Sequence, residues 1–275
     1  MKQNEIENTE IKLLLDAIFL RYGYDFRRYA KASIRRRVIQ FMQTSGLASI
    51  SEMIPRLIHD ESFFQQMAME FSITVTEMFR DPTMFLSLRQ CVLPLLKSYP
   101  SFKIWHAGCA TGEEAFSLAI LLHEEDLEKR ATLFATDFND QALKKAREGI
   151  LEMDQAKLYT QNYQLAGGTD SFSGYYHARY GALAIKQSLK KNITFANHNL
   201  VTDHVFSETH LILCRNVMIY FNKELQERVM GLFYESLVHG GFLCLGMKES
   251  LLFSKYQDKF KVIDRKHKIF QKTAV

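Results

Sequence analysis

Hydrophobic residues in the first 88 positions recur every three or four residues, which is the spacing of one face of an α-helix. Gly23, Gly46 and Pro55 interrupt this pattern, as residues at helix ends do. The three apolar stripes comprise Ile11, Leu14, Leu15, Ile18 and Phe19, then Ile34, Val38, Phe41 and Met42, then Met53, Ile54, Leu57 and Ile58. Because no strand-like alternation occurs here, the pattern predicts an all-helical N-terminal domain over residues 1–88.

Beyond residue 88 the pattern changes to short apolar runs that alternate with helical stretches. Strands are predicted at 102–107, 132–137, 193–196, 210–214, 240–246, 260–263 and 268–271. The last two runs are separated by a polar turn and predict a closing hairpin. Strands that alternate with helices are typical of a mostly parallel sheet. The sequence therefore predicts an α/β domain over residues 89–275.

Residues 159–191 do not follow this alternation. The segment is rich in Gly and Tyr, and it contains a short alternating run at 182–185. Glycines weaken regular strands and helices, and a long segment without helical spacing suits a small separate unit. We therefore predict an antiparallel β insertion here, rather than a helix.

The stretch from Lys103 to Leu122 is the clearest candidate for a ligand site. Its apolar run ends at Gly108, and apolar residues at helical spacing resume after Gly112. In a doubly wound sheet, ligands bind beyond the carboxyl ends of the strands, because glycines let the ligand approach the backbone and helix amides point outward. This strand, turn and helix therefore predict a nucleotide-like ligand.

The second predicted strand ends in an acid, Asp137. A carboxylate at that place can accept hydrogen bonds from both ribose hydroxyls of an adenosine. Nicotinamide dinucleotides and S-adenosylmethionine both carry that ribose. The turn from Gly108 to Gly112 lacks the Gly-x-Gly-x-x-Gly pattern that holds a pyrophosphate. S-adenosylmethionine is therefore the favoured cofactor.

Composition narrows the class of protein further. Hydrophobic residues make up 47% of the 275 positions and charged residues 24%, as in ordinary globular proteins. The sequence has neither an N-terminal leader nor a run of 18 apolar residues, which predicts a cytoplasmic protein. Its four cysteines are far apart and show no metal-ligand spacing, which predicts free thiols and no metal site.

Positive charge is concentrated near the N-terminus. The whole chain carries a net charge of +4, yet residues 21–40 contain seven basic residues and only one acidic residue. Such a patch is either a solvated helix face or a surface for an acidic partner. The small total charge argues against a nucleic-acid partner.

Seven segments, in this order, resemble the CheR family of chemotaxis-receptor glutamate methyltransferases over nearly the full chain. The segments are 35–37 (RRR), 74–82 (TVTEMFRDP), 107–114 (AGCATGEE), 135–138 (ATDF), 199–200 (NL), 214–221 (CRNVMIYF) and 245–251 (LGMKESL). The resemblance implies a class I S-adenosylmethionine-dependent methyltransferase with a Rossmann-like sheet, an all-helical N-terminal domain and a small antiparallel β insertion. It also implies the reaction: methyl transfer to glutamate carboxylates of a chemoreceptor-type signalling protein, with S-adenosylhomocysteine as product.

The resemblance also implies roles for individual residues. Arg80 and Tyr220 would act at the transferred methyl group, and Arg35, Arg36 and Arg37 would bind the acidic substrate. Residues that would hold the cofactor are Thr74, Thr76, Arg80, Gly108, Glu114, Asp137, Asn199, Leu200, Arg215 and Asn216. The family often has Asn in place of Thr74, which affects one hydrogen bond to the cofactor.

A glutamate acceptor makes modest chemical demands, because a carboxylate with a pKa of about 4.3 is already ionised at neutral pH. No general base is needed, and His106 is predicted to pack within its strand. A nucleic-acid methyltransferase is one alternative, but residues 214–217 lack the prolines expected there. A non-catalytic S-adenosylmethionine-binding or S-adenosylhomocysteine-binding regulatory protein is the other. We also expect a monomer, since no apolar heptad pattern is evident.

Overall fold

The computed structural model describes residues 3–71, 76–252 and 254–273. Contacts divide the chain into two compact units. The helical unit comprises residues 1–73 together with 220–228, and the sheet unit comprises residues 74–219 together with 229–275. The chain therefore enters the sheet unit, returns to the helical unit for nine residues, and then completes the sheet.

Four helices form most of the helical unit. They are α1 (Gln3–Tyr22), α2 (Lys31–Thr44), α3 (Met53–His59) and α4 (Glu61–Phe71). Each predicted apolar stripe contributes fully buried residues, among them Leu14, Ile18, Val38 and Leu57, whereas Ile58 is exposed. The segment that returns from the sheet unit pairs with this unit through an antiparallel bridge between Tyr29 and Phe221.

The sheet unit is built on a seven-stranded sheet with the order β6-β2-β1-β7-β8-β10-β9. Its strands are β1 (Phe102–Ala107), β2 (Ala131–Asp137), β6 (Ile193–Asn197), β7 (Thr209–Cys214), β8 (Leu237–Leu245), β9 (Phe260–Asp264) and β10 (Ile269–Lys272). The first five run parallel, and β10 is antiparallel to both β8 and β9. This confirms the predicted α/β class and its closing hairpin.

Both faces of the central strands are covered. Ile104 and Trp105 are neighbours on β1, so they point to opposite faces, and both are fully buried. The helices of this unit are α5 (Pro82–Ser87), α6 (Leu93–Leu96), α7 (Glu113–Glu124), α8 (Asp140–Glu148), α9 (Ala156–Leu165), α10 (Gln187–Lys190) and α11 (Lys223–Ser236), whose first residues lie in the helical unit.

Trp105 is the only tryptophan of the sequence. Its indole Nε1–H donates a hydrogen bond of 2.8 Å to Thr136 Oγ1 on the neighbouring strand. The rings of His198, Phe206 and Phe233 meet it edge-on. The residue therefore ties β1 to the end of β2 from within the core.

The boundary between the two parts of the chain lies near residue 73, and not at the predicted residue 88. Met78, Phe79, Phe85 and Leu88 are fully buried, and they share one core with Ile104 of β1. Helical spacing identified these residues as apolar, but spacing cannot say which partner an apolar face packs against. The helical segment before β1 therefore belongs to the sheet unit.

The insertion is an antiparallel three-stranded sheet, as predicted, but it also contains a helix. Its strands β3 (Ile150–Glu152), β5 (Ala182–Ile185) and β4 (Tyr176–Arg179) lie in the order β3-β5-β4. The expectation that residues 159–191 hold no helix was wrong, because α9 continues to Leu165. Tyr159, Asn162 and Tyr163 are buried on one side of α9, at helical spacing that the glycines beyond had obscured.

None of the helices in the described ranges is long and apolar enough to span a membrane.

Candidate active site

The turn after β1 is held tightly by backbone hydrogen bonds. The amides of Gly108 and Cys109 both donate to the Thr136 carbonyl, at 2.8 and 2.9 Å. Gly108 and Gly112 have φ angles of +80° and +94°, and Ala110 between them has 48°. Glycine adopts such angles without strain, whereas alanine does not. The turn therefore reverses sharply at the carboxyl end of the sheet before α7 begins.

Gly108 is also a point of close approach. A Cβ atom at this position would lie 2.4 Å from Cγ2 of Val217, which belongs to the loop after β7. No side chain larger than hydrogen fits there unless the Val217 side chain shifts. The two loops that follow the central strands therefore touch through this glycine.

Asp137, at the end of β2, closes the first of these loops. Its Oδ2 accepts from the Ala110 amide and its Oδ1 from the Asn139 amide, both at 2.9 Å. Burial raises the pKa of this carboxyl, and the hydrogen bonds from the amides oppose that rise. Two carboxylate oxygens offer about four acceptor positions. The carboxylate therefore keeps acceptor capacity for a ligand.

A buried ion pair supports the second loop. The Arg215 side chain is 1% exposed, and it donates to Glu114 Oε2 and, at 2.5 Å, to Asp81 Oδ2. Burial alone would raise the pKa of Glu114, but Arg215 and His106 outweigh that effect and hold it at about 2. Glu114 is therefore ionised at any physiological pH and cannot accept a proton as a general base.

Arg80 lies in a strained segment beside this pair. Its carbonyl accepts a hydrogen bond of 3.2 Å from Arg215, and its neighbours Phe79 and Asp81 have φ angles of 54° and 56°. Asn216 adopts a similar φ of 61°. Each such residue costs about 1–3 kcal/mol, and backbone strain of this kind clusters at functional sites.

The loop after β6 carries Asn199 and Leu200. The Asn199 side-chain oxygen accepts from the Val201 amide at 2.9 Å, so it stabilises its own turn. Leu200 is buried and provides an apolar surface. The preceding residue, His198, donates its amide to the Asp137 carbonyl at 3.1 Å. This loop is therefore joined to the loop that Asp137 closes.

Among the predicted cofactor residues, Thr76 is half-buried, and Thr74 lies outside the described residues. The others in the sheet unit come together at the carboxyl ends of β1, β2, β6 and β7, or in the segment that Arg215 contacts. In the described part of the chain, no group of three or more His, Cys, Asp or Glu residues is arranged to hold a metal.

Two family models match the chain one after the other. Residues 9–72 match the all-alpha domain of CheR methyltransferase, and residues 74–269 match its S-adenosylmethionine-binding domain. The chain belongs to the CheR methyltransferase family. It is therefore a methyltransferase that uses S-adenosylmethionine.

Individual CheR relatives agree with the family models. A Pseudomonas putida protein named Cher3 is 50% identical over 97% of each chain. A Listeria monocytogenes chemotaxis protein methyltransferase is 28% identical over 84% of this chain and 86% of its own. The Salmonella typhimurium protein of the same name is 25% identical over 89% and 85%. The similarity thus covers nearly the whole length of these proteins.

The residues of this CheR site suit S-adenosylmethionine. Asp137 retains acceptor capacity where a ribose would bind. The Nε of Arg215 is buried without a hydrogen-bond partner among the described residues. A donor of this kind suits a polar group of the ligand.

The three predicted substrate-binding arginines of this CheR protein differ in their surroundings. Arg35 and Arg36 are exposed on α2, and Arg35 forms an ion pair with Glu7. Arg37 is 6% exposed, and its guanidinium lies 5.0 Å from the ring centroid of Tyr220. Arg37 is thus not available at the surface to bind a substrate.

The burial of Arg37 has a clear cause. Its Nη1 donates to the carbonyls of Glu70 and Phe71, at 3.0 and 2.5 Å, where α4 ends. It stands one turn from Ile34 and Phe41, which are buried on α2. That spacing could have placed Arg37 on the inner face from the sequence alone.

Glu249 is a buried residue whose role the sequence does not predict. This carboxylate is 4% exposed and lies between β8 and β9, in segment 245–251, which resembles the CheR family. Its place in that segment is the only feature of the sequence that could have indicated a functional role. An acid in a short polar stretch is more often exposed, so its burial could not be predicted.

Proposed function

We propose that this CheR protein transfers the methyl group of S-adenosylmethionine to glutamate side chains of a chemoreceptor-type signalling protein. The products are a glutamate methyl ester and S-adenosylhomocysteine. The Listeria and Salmonella relatives carry the name chemotaxis protein methyltransferase, which supports this class of substrate. The proposed enzyme works in the cytoplasm as a monomer, without a nucleic-acid partner.

A carboxylate acceptor is best supported by the fact that the site's own acids already form an ion pair or accept hydrogen bonds from the protein. Glu114 is paired with Arg215, and the pKa of Glu114 stays at about 2. Asp137 is held by backbone amides. His106 is buried, with its Nε2 3.2 Å from Glu114. Such a site offers charge and orientation rather than a base, which suits a nucleophile that is already ionised.

S-adenosylmethionine supplies the electrophilic methyl group, attached to a positively charged sulfur. Arg80 is proposed to orient the incoming carboxylate by a charge-assisted hydrogen bond, with its backbone held by Arg215. Tyr220 is proposed to act beside the transferred methyl, where its hydroxyl can donate or accept one hydrogen bond. Alignment and exclusion of water would then account for most of the rate.

Exposed charge on α2 is proposed to attract the acidic substrate. Arg35 and Arg36 are the two arginines of the run that reach solvent. Charges at an interface rim mainly increase the rate of association, and salt weakens them. Arg37 is proposed to support the reaction indirectly, through its contact with the ring of Tyr220.

The reaction itself is tested with labelled S-adenosylmethionine and membranes of the source cells. Transfer to glutamate gives an ester that releases volatile methanol in alkali. We expect this product with the wild type and with Asp170→Ala, an exposed control. We expect it to be lost in Asp137→Ala and Arg80→Ala. Alkali-stable label on protein would instead contradict a carboxyl acceptor.

The non-catalytic alternative gives a different pattern in the same experiment. It requires calorimetric cofactor binding that Asp137→Ala abolishes, together with no transfer to any membrane fraction.

A second test concerns the exposed arginines of α2 that are proposed to bind the substrate. Transfer by the double variant Arg35→Glu/Arg36→Glu should fall sharply at low salt and differ less at high salt. Unchanged transfer at low salt would exclude substrate binding by these arginines.

A further inference from the structure

Glu249 is bonded entirely to backbone amides. Its Oε1 accepts from Val217 and Met218, at 2.9 and 2.8 Å. Its Oε2 accepts from Asn216 at 3.2 Å and from Gly246 at 2.6 Å. No cation of the described residues forms an ion pair with it within 4.0 Å. A buried carboxylate without a cation is stabilised only if its hydrogen bonds stay in place.

Three of these amides are consecutive residues of the loop after β7. They begin at Asn216, which has a left-handed backbone, and end at Met218, where a short 3₁₀ turn leads to Tyr220. Without Glu249 the three buried or half-buried amides would lack this acceptor. The carboxylate thus fixes a conformation that Asn216 would not adopt at low cost.

The loop after β7 also packs against the turn at Gly108. Val217, whose amide Glu249 binds, is the residue that leaves no space for a side chain at Gly108. A Cβ atom at Gly246 would lie 2.8 Å from the Asn216 nitrogen, so the residue directly after β8 also approaches this loop closely. A shift of the loop would therefore reach both Asn216 and the wall formed by Val217.

We infer that Glu249 is a positioning residue for the cofactor site: it holds the Asn216–Met218 backbone against the Gly108 turn, so that Arg215 and Asn216 line the floor of the site near the methyl group of S-adenosylmethionine. It acts through these residues and contacts no reacting atom. Its effect on methyl transfer rests on the proposed function. Its effect on cofactor binding rests only on the family's established cofactor.

The test is calorimetric binding of S-adenosylhomocysteine to the full chain with Glu249→Gln. This change puts an NH₂ group where an oxygen accepted two amides. We expect binding about tenfold weaker or more, since an unsatisfied buried donor weakens interactions by that order. Amide hydrogen exchange of Val217 and Met218 should accelerate. Glu235→Gln makes the same chemical change at an exposed site of α11 and should bind like the wild type.

A purely structural role predicts another result. If Glu249→Gln melts at a lower temperature but binds S-adenosylhomocysteine within twofold of the wild type, the inference is wrong. If that variant does not fold, Glu249→Asp decides, because it keeps the charge on a side chain one methylene shorter. Weakened binding by folded Glu249→Asp supports the inference, and unchanged binding contradicts it. Because binding is measured without a protein substrate, a wrong substrate assignment does not affect the outcome.

Discussion

The two loops that meet at Gly108 are each closed by a buried carboxylate, yet the two carboxylates have different capacities. Asp137 accepts one hydrogen bond on each oxygen, from the amides of Ala110 and Asn139, and the Phe138 amide also acts on it. Glu249 accepts two on each oxygen, which fills the acceptor positions of a carboxylate. Asp137 can therefore still bind a ligand, whereas Glu249 can only hold the protein.

Burial does not distinguish these two acids. It raises the pKa of both Asp137 and Glu249, and backbone amides oppose the rise in both. The number of donors around each carboxylate separates them. A buried acid at the end of a strand is thus a candidate for ligand binding only after its hydrogen bonds have been counted.

The largest expected effect concerns the buried ion pair between Arg215 of the second loop and Glu114 of α7. Glu114→Gln would leave Arg215 buried with Asp81 as its remaining carboxylate partner. Breaking one side of a buried pair costs about 3–5 kcal/mol. We expect a loss near the lower end, because Asp81 remains. Urea unfolding at pH 7 measures it, with Glu148→Gln on the exposed side of α8 as the control.

Acid gives an independent check of the same pair. The fold lowers the pKa of Glu114 from its ordinary value of 4.5 to about 2. The unfolded chain therefore takes up this proton first, and the contribution to stability is lost as pH falls from about 4.5 toward 2. The Glu114→Gln variant should lack this part of the acid dependence. Equal losses in both proteins over that range would contradict the assignment.

The next largest effect concerns Asp137, the carboxylate that can still accept a hydrogen bond from a ligand. Asp137→Asn places an NH₂ group opposite one amide donor and removes the charge. A hydrogen bond to a charged group contributes about 1.5–3 kcal/mol, so binding of S-adenosylhomocysteine should weaken roughly 10- to 100-fold. Calorimetry on the variant and on Asp170→Asn measures this. Wild-type affinity in Asp137→Asn would mean that this acid does not contact the cofactor.

The smallest effect concerns the contact between the loops. Gly108→Ala combines an unfavourable φ with a clash against Val217, while Gly181→Ala has a φ of +74° and nothing within 4 Å. The difference in unfolding free energy between these variants should be about 1–3 kcal/mol, the usual effect of overpacking. Adding Val217→Ala to Gly108→Ala should recover part of it. No recovery would mean that the loops are not coupled at this point.

The first loop was predictable because its residues are close in sequence. A strand that ends at Gly108, a helix after Gly112 and an acid after the next strand follow a local pattern, and the structure places them together. Whether they bind the cofactor as proposed is what the Asp137 variants test. The surroundings of Asp137, with donors on both oxygens, depend on the folded turn and could not be read from the sequence.

The second loop was not predictable, since its stability depends on contacts between distant segments. Glu249 lies more than thirty positions from three of the four amides that it binds, and Arg215 meets acids from two other segments, Asp81 and Glu114. The domain boundary was misplaced for the same reason. Apolar residues such as Phe85 have a clear spacing, but their partner is the sheet core.

Trp105 can serve as an intrinsic fluorescence probe of unfolding. The chain's single indole is buried in the sheet unit, bonded to the residue that precedes Asp137. Fluorescence excited at the tryptophan band would therefore report only the unfolding of that unit, whereas circular dichroism would record the helices of both units. Two transitions that fail to coincide would reveal that the units melt separately. No label would have to be introduced to observe it.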